Sequence, residues 1–581
     1  MKRTKYLIAI AFIAVFVLSN SCKESFLEIT PNGSLGQSVL TSYDGVDKLL
    51  VGCYAMVDGV SAQFGWESTS SGWVFGSIRG MDANKGTDAG DQPDINPIQT
   101  FSETSTNPYL NIKWRAAYEG ISRCNKTISV ANQALESGNI TDTEATNFIT
   151  QARALRGFYH LELWRLFVNP STQIGIAYVD ETTVLTEVTN TEDVRAQIIA
   201  DLTAGTALPL DMGQVGRFNK TVSQVLLAKA QMNMYGDYTA ALTLLSDVET
   251  NGTNPAGQKA ALEPLYGDIF NTIYRNSVES IYTVQYSVND NSGGNNGGAG
   301  EVLNFPYKGG ASPGGCCGFF SPTQDFVNSF RTDANGLPFL DTYNDAPVTN
   351  DQGLTPEDPF TEYTGQLDPR LDWTVGRRGI PYLDWGDHTG SDWIRDQSYA
   401  GPYNGKKQVY MKSQEGTLTE VGNWTSGYTA NGYRLIRFAD ALLLKAECEA
   451  MLGVDDMGFA EVNAVRNRAA NPAGYVYEAD LTTPAADYFV APYTSFPNQA
   501  FAIQAVKFER KLELGQEGHR YYDLQRWGDV VTELTKVLTY EKTNEWGTSL
   551  YGNATVGPED AFVPVPQRQI DLMNGNFVQN R

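Results

Sequence analysis

The stretch 225–248, VLLAKAQMNMYGDYTAALTLLSDV, constrains the fold more than any other part of this 581-residue sequence. Leu226, Ala230 and Met234 recur at four-residue steps and form one helical stripe. Gly236 and Asp237 break that period, and Tyr238, Ala241 and Leu245 begin a second stripe. The pattern predicts two helices folded back on each other, with Ala228 and Ala241 small enough to let them approach. Such a hairpin cannot bury its apolar face alone, so it demands stacked neighbours.

Those neighbours are legible as further helical periods over about 43–58, 108–136, 142–168, 191–207, 219–235, 238–250, 431–452, 457–469 and 499–533. The hairpin resembles a tetratricopeptide unit, but the strict 34-residue period is absent, so any repeats are degenerate. Two stretches break the helical texture. The first, 59–107, and the longer 251–430 are rich in Gly, Pro, Asn, Asp and aromatic residues, with SVESIYTVQYS at 277–287 as the clearest strand-like run. Loops of this length in a compact domain are usually functional, and GGNNGG at 293–298 reads as flexible. A mainly α fold is expected: one domain over 41–581, with a helical scaffold and a loop-built working surface.

The first residues indicate a compartment. Lys2, Arg3 and Lys5 precede an apolar run from Tyr6 to Leu18, which is a secretory signal over 1–21 and too short to span a bilayer. Its abrupt end at Ser21-Cys22 predicts lipid attachment to Cys22 and a tether over 22–40; plain secretion with Cys22 an ordinary thiol is the alternative. Glu24 and Glu28 just after the anchor predict an outer-membrane position facing outwards. Besides Cys22 there are five cysteines. Cys53, Cys124 and Cys448 lie in helical, apolar contexts and read as buried small hydrophobes. Cys316 and Cys317 sit among Gly314, Gly315 and Gly318; two reduced thiols are the commoner outcome for such a pair and a vicinal disulfide the other. A net charge of −24 without clustered Lys or Arg excludes a nucleic-acid partner.

Several segments, in order across nearly the whole mature chain, resemble the SusD/RagB family. They are QARALRGFYHLELWRLF, GRFNKTVSQVLLAKAQM, SVESIYTVQYS, PTQDFVNSF with DPRLDWTV, YRLIRFADALLLKAECEA, VNAVRNRA, VKFERKLELGQEGHRYYDLQRWGD and FVPVPQRQIDLMNGNF. The family's glycine and proline after the first of these are replaced by VNPSTQIGIAYV. The resemblance implies an α-helical fold with four degenerate tetratricopeptide units and a loop region that binds glycan. It also implies a SusC-like TonB-dependent transporter as partner, over which the protein sits as a lid.

No catalytic constellation competes with that reading. Glu509, Arg510, Glu513, Glu517, Arg520, Asp523 and Arg526 read as a structural ion-pair network with partners three or four positions apart (Glu513 with Arg510, Glu517 with Arg520, Asp523 with Arg520 or Arg526). His160, His388 and His519 lack metal-ligand spacing, and no nucleophile-elbow, phosphate-loop or dinucleotide motif is present. Neither cofactor nor metal is expected; Asp82, Asn84, Gly86 and Asp88 resemble a calcium loop without its final bidentate acid and read better as a solvated acidic turn.

The strongest functional signal is a set of aromatic residues with no helical period: Trp66, Trp73, Phe305, Tyr307, Phe319, Phe320, Trp385 and Trp393. Exposed rings among polar residues suit the apolar C–H faces and hydroxyl edges of sugars. The alternative is that each ring pins its own loop. The expected site is Trp66, Trp73, Tyr307, Trp385 and Trp393, with Arg79, Asp82 and Asn84 as hydrogen-bonding neighbours, where the 59–107 and 251–430 loops meet. The charge points to a neutral glycan such as a β-glucan, with Arg79, Arg377, Arg378 and Arg395 as local cations able to override it. A glycoside hydrolase or lyase with paired carboxylates, and a protein–protein scaffold, are the competing functions.

Overall fold

A computed structural model of the chain describes residues 36–59, 65–307, 312–422, 425 and 427–581. The signal, Cys22 and most of the tether lie outside the described residues. The helices of eight residues or more, in chain order, are α1 (Tyr43–Tyr54), α2 (Pro108–Glu136), α3 (Asp142–Phe167), α4 (Arg195–Gly205), α5 (Lys220–Tyr235), α6 (Tyr238–Asn251), α7 (Phe438–Leu452), α8 (Phe459–Ala469), α9 (Gln499–Leu514), α10 (Arg520–Trp527) and α11 (Val530–Glu541). Strands are short: β1 (Ala83–Gly86), β2 (Ser280–Thr283), β3 (Phe319–Pro322), β4 (Val375–Gly376), β5 (Asn404–Gly405), β6 (Thr419–Glu420), β7 (Tyr428–Thr429) and β8 (Arg434–Arg437). They pair antiparallel as β1–β3, β2–β8, β4–β5 and β6–β7. No helix among the described residues is long and apolar enough to cross a membrane.

The helices stack in sequence, each on the next from α2 to α7, and α7 then packs on both α8 and α9. Local chemistry sets their ends. Asn107 caps α2, with Pro108 at its first position, and a reciprocal Thr141–Glu144 capping box opens α3. Asn219 caps α5, which closes on Gly236 at φ +61°, and Asp237 caps α6 at once. The hairpin expected from the 225–248 stretch is therefore present, turned by the residues that break its period.

Two helical expectations need correction. The segment before Phe438 is strand β8, whose RLIR pairs with SIYT of β2 rather than extending α7. The stretch 499–533 is three helices, because the chain turns through Gly515–Gly518 between α9 and α10. Gly518 sits at φ +73°, and a side chain there would overlap the Ser71 carbonyl. The turn thus serves as the seat on which the first loop rests.

The acidic and basic residues of this region form a structural network, with partners more distant than three or four positions. Glu279, Asp368, Glu509, Glu513 and Glu517 meet Arg370, Lys407, Arg437, Arg466 and Arg468, five charges of each sign, all buried. Arg437 bridges Glu279 at 2.6 Å, Glu513 at 2.9 Å and Glu517 at 2.7 Å, while Arg370 and Arg468 reach Glu513 at 3.0 and 2.6 Å. Arg510 turns instead to Asp440 and Asp523, and Arg520 to Glu533; only Asp523–Arg526 is a local pair. Burial opposes ionisation of Glu513, but the surrounding guanidinium groups win and hold its carboxyl far below the usual range. A depressed carboxyl contributes stability that is present above its ordinary pKa and lost as pH falls.

Removing one member strands the others in a dry interior. Arg437→Met is expected to lower stability by about 3–5 kcal/mol in urea denaturation. An unchanged midpoint would show that water or rearrangement satisfies the three carboxylates.

Candidate functional site

The loop-rich side is organised around the β6–β7 hairpin, which is wedged between two segments of the long insertion. On one flank the Asn289 amide nitrogen donates to Glu420 at 2.7 Å and Gly298 donates to the Thr429 carbonyl at 3.0 Å. The Tyr428 ring lies against Gly294, where a side chain would collide with it. On the other flank the Thr425 hydroxyl donates to the Gly314 carbonyl, and Gly427 lies against the Phe305 ring. The glycines of this region allow rings and backbone to pack at close range.

A cavity of about 460 Å³ with a mixed polar and apolar lining opens where the end of α1 meets the insertion. Tyr54, Asp58, Tyr282, Gln285, Asn295 and Asn296 are among its lining residues, with Gly59 and Gly65 at the edge of the first loop. Burial, assisted by the nearby Glu301 charge, pushes the Asp58 carboxyl up to about 7. The Tyr286 hydroxyl hydrogen-bonds to the same carboxyl and opposes that rise. On the far flank of the hairpin lies an aromatic strip: Phe305 meets Tyr410 edge-on at 5.7 Å, and Tyr410 meets Trp385 edge-on at the same distance. Trp385 and Tyr307 are half-buried. Arg395 sits 5.0 Å over the Tyr307 ring and is held by Asp88 at 2.8 Å and Asp91 at 2.5 Å.

The expected site residues divide sharply. Trp73 is only 1% exposed; its indole N–H donates to the Gly300 carbonyl and its ring packs edge-on against Phe319 and Phe320. Trp66, Phe305, Phe319, Phe320 and Trp393 are likewise buried, Trp393 between Tyr382 and His388. Arg79 is sealed between the Phe101 and Tyr521 rings and paired with Glu103 and Asp560. Asp82 accepts from the Gln516 amide at 2.8 Å, and burial pushes its carboxyl up to about 6. Asn84 lies in β1 and donates to the Ala400 carbonyl. Trp66, Trp73, Trp393, Arg79, Asp82 and Asn84 are therefore buried, and Ala83–Gly86 is a buried strand rather than a solvated turn, while Asp88 beyond it is partly exposed. The physical reason is that these loop rings pack into the same hydrophobic core as the helices, so a ring without helical period need not be exposed.

Tyr307 and Trp385 keep their place at the surface. The polar residues around the cavity, Asp58, Gln285, Asn295 and Asn296, escaped the sequence reading because it weighed rings above amides. The GGNNGG run held the available signal. The pair Cys316–Cys317 is oxidised to a vicinal disulfide, which corrects the expectation of reduced thiols; Cys53, Cys124 and Cys448 are buried thiols as expected. His160 and His388 are buried and His519 is half-buried, and desolvation pushes each imidazole down to about 4.

These features define a helical-repeat protein with a loop-built binding face. The chain belongs to the SusD family, whose model matches residues 278–581. A SusD superfamily protein from Bacteroides vulgatus shares the fold with a TM-score of 0.66 at 17% identity, covering 93% of this chain and 99% of that one. Surface glycan-binding protein A from Bacteroides thetaiotaomicron, in complex with laminarihexaose, aligns with a TM-score of 0.62 at 20% identity over 92% and 99% of the two chains. A laminarin-binding SusD-like protein aligns with a TM-score of 0.63 at 20% identity over 93% and 99%. SusD-like protein P25 of Formosa agariphila is 29% identical over 138 residues, 24% of this chain and 22% of its own length, so the match spans about a fifth of that relative.

The burial of Trp73 makes it a stability residue. Trp73→Ala is expected to cost about 3–5 kcal/mol of stability in denaturant titration. A variant that lost glycan retention with an unchanged unfolding midpoint would return Trp73 to the binding face.

Proposed function

We propose that the protein is a non-catalytic, lipid-anchored glycan receptor that captures a neutral oligosaccharide at the cell surface and passes it to a SusC-like TonB-dependent transporter. The observation that carries the reading is the amide- and carboxyl-lined cavity opening beside a hairpin whose other flank presents Tyr307 and Trp385. Side-chain amides match sugar hydroxyls, while half-exposed rings match C–H faces. Neutrality is favoured by a net charge of −24 and by the state of the local cations. Arg79, Arg377 and Arg395 are paired with carboxylates, and Arg378 is bound to the Pro356 and Asp358 carbonyls. Three of the four guanidinium charges are thus neutralised by the fold, and Arg378 is the one held by carbonyls alone. A β-glucan is the ligand class we favour, in line with the laminarin and laminarihexaose named for two proteins of the same fold.

The test is affinity electrophoresis of the Cys22→Ala protein against laminarin, other neutral glucans, alginate and carrageenan, with a reducing-end assay alongside. Retention by a neutral glucan without new reducing ends is expected. Tyr307→Ala or Trp385→Ala should then weaken retention about thirtyfold, the usual 2 kcal/mol for a central aromatic anchor. Preferential retention by alginate overturns the charge argument, and new reducing ends overturn the receptor reading.

A second groove supports the partner. A cavity of about 1070 Å³ on α2 is lined by Trp114, Tyr118, Val179, Leu185, Met573 and Phe577. Val184 and Leu572, neighbours of lining residues, are 56% and 62% exposed, and Glu67, in the same lining, keeps an unpartnered buried oxygen. An apolar groove with an apolar rim suits a transporter segment bearing apolar side chains. Cys22→Ala is expected to release the protein from membranes. Leu185→Asp with Leu572→Asp should leave it in the membrane with glycan retention intact but reduce co-purification with the transporter; undiminished co-purification places the interface elsewhere.

A further inference from the structure

We propose that the Cys316–Cys317 disulfide is itself a ligand-contacting surface, an apolar ledge beside Tyr307 against which the C–H face of a sugar ring lies. The inference rests on the glycan-receptor reading and adds the sulfur surface to it.

The placement is set by backbone pairing. The Cys317 N–H donates to the Leu303 carbonyl at 3.0 Å and the Gly318 N–H to the Phe305 carbonyl at 2.8 Å, so residues 316–318 run beside 303–307. Gly318, at φ +76°, lets Tyr307 draw close; a side chain there would come within 3.0 Å of the Tyr307 Cβ. Gly314, at φ +68°, lies over the Phe305 ring with the same economy of space. Gly315 is exposed and Cys316 half-buried, whereas Cys317 faces inward. Cys316 therefore keeps part of its surface exposed, while Cys317 packs inward beside Phe305.

A role in stabilisation does not account for it. A disulfide stabilises mainly by closing a loop of the unfolded chain, and the effect grows with loop length; the two cysteines here are adjacent in sequence. What oxidation changes locally is the surface. Two thiols become a pair of polarisable sulfurs without donor hydrogens, which lose little hydration when covered and make dispersion contacts with carbon. Next to an exposed ring edge, that is the chemistry a pyranose face takes. Hydroxyls at the sugar's rim would then point to polar groups of the face.

The experiment uses the Cys22→Ala protein and laminarihexaose. The disulfide is reduced with a phosphine, released thiols are trapped by alkylation, and the peptide carrying Cys316 and Cys317 is followed by mass spectrometry with and without saturating sugar. Bound sugar is expected to slow reduction about fivefold or more, as cover by a ligand excludes the reductant, while an alginate oligomer leaves the rate unchanged. Cys316→Ala with Cys317→Ala should weaken laminarihexaose binding about tenfold at an unchanged unfolding midpoint. Equal reduction rates with and without sugar, in a protein that retains laminarin, overturn the ledge and leave the receptor reading standing. Failure to retain any neutral glucan overturns both.

Discussion

Glu513 is held by three guanidinium groups in the dry interior, and much of the architecture follows from keeping them there. Each cation arrives on a different piece of chain: Arg370 from the insertion, Arg437 from the β8–α7 junction and Arg468 from α8. A charge stripped of water and of its partner is far more costly than a lost apolar contact, so these pieces cannot slide without exposing or orphaning a neighbour. The network thereby fixes where α9 ends. That end fixes the Gly515–Gly518 turn, and Gly518 in turn receives the backbone of the first loop through Ser71 and Gly76. Scaffold and loops are thus registered against one electrostatic knot.

How much of this was legible in the sequence depends on the scale of the interaction that decided it. The helices around 108–136, 142–168, 219–235 and 238–250 were read almost to the residue because period and caps are local, as Asn107, Thr141 and Asn219 illustrate. The strand at Arg434–Arg437 was not, since its state is decided by pairing with Ser280–Thr283 some hundred and fifty positions away. The ion network was legible as structural, but its partners were misassigned: helical spacing brings Glu513 and Arg510 near in sequence while the fold sends Arg510 to Asp440. Aromatic residues in irregular segments were the least readable. Trp73 and Trp385 stand in similar glycine-rich surroundings, yet one is sealed under Phe319 and Phe320 and the other is half-exposed over Tyr410. Only tertiary packing separates them.

The working face also separates two kinds of chemistry that a sugar combines. Amides and the Asp58 carboxyl lie on one flank of the β6–β7 hairpin, and rings and sulfur lie on the other. The hairpin that divides them is held on both flanks by hydrogen bonds to the insertion, through Asn289 and Gly298 on one side and Gly314 on the other. Its position therefore sets the spacing between the polar and the aromatic flanks. Cations that might have widened the ligand range are consumed by the fold, Arg395 by the acidic turn at Asp88 and Asp91 and Arg377 by Asp372.

The two-stranded pairing of β2 with β8 has a further consequence for how such a protein diversifies. Residue 284 leaves the scaffold and residue 433 returns to it side by side, joined by the hydrogen bond from the Val284 N–H to the Tyr433 carbonyl at 2.8 Å. The long insertion therefore hangs from a clasp whose two ends already touch. A replacement insertion of different length and ligand preference meets no demand to span a gap, because closing a longer loop between fixed, adjacent ends adds only slowly to its entropic cost. A replacement must still return Asp368, Arg370 and Lys407 to the buried network, so the loops are exchangeable only as a cassette that carries these charges.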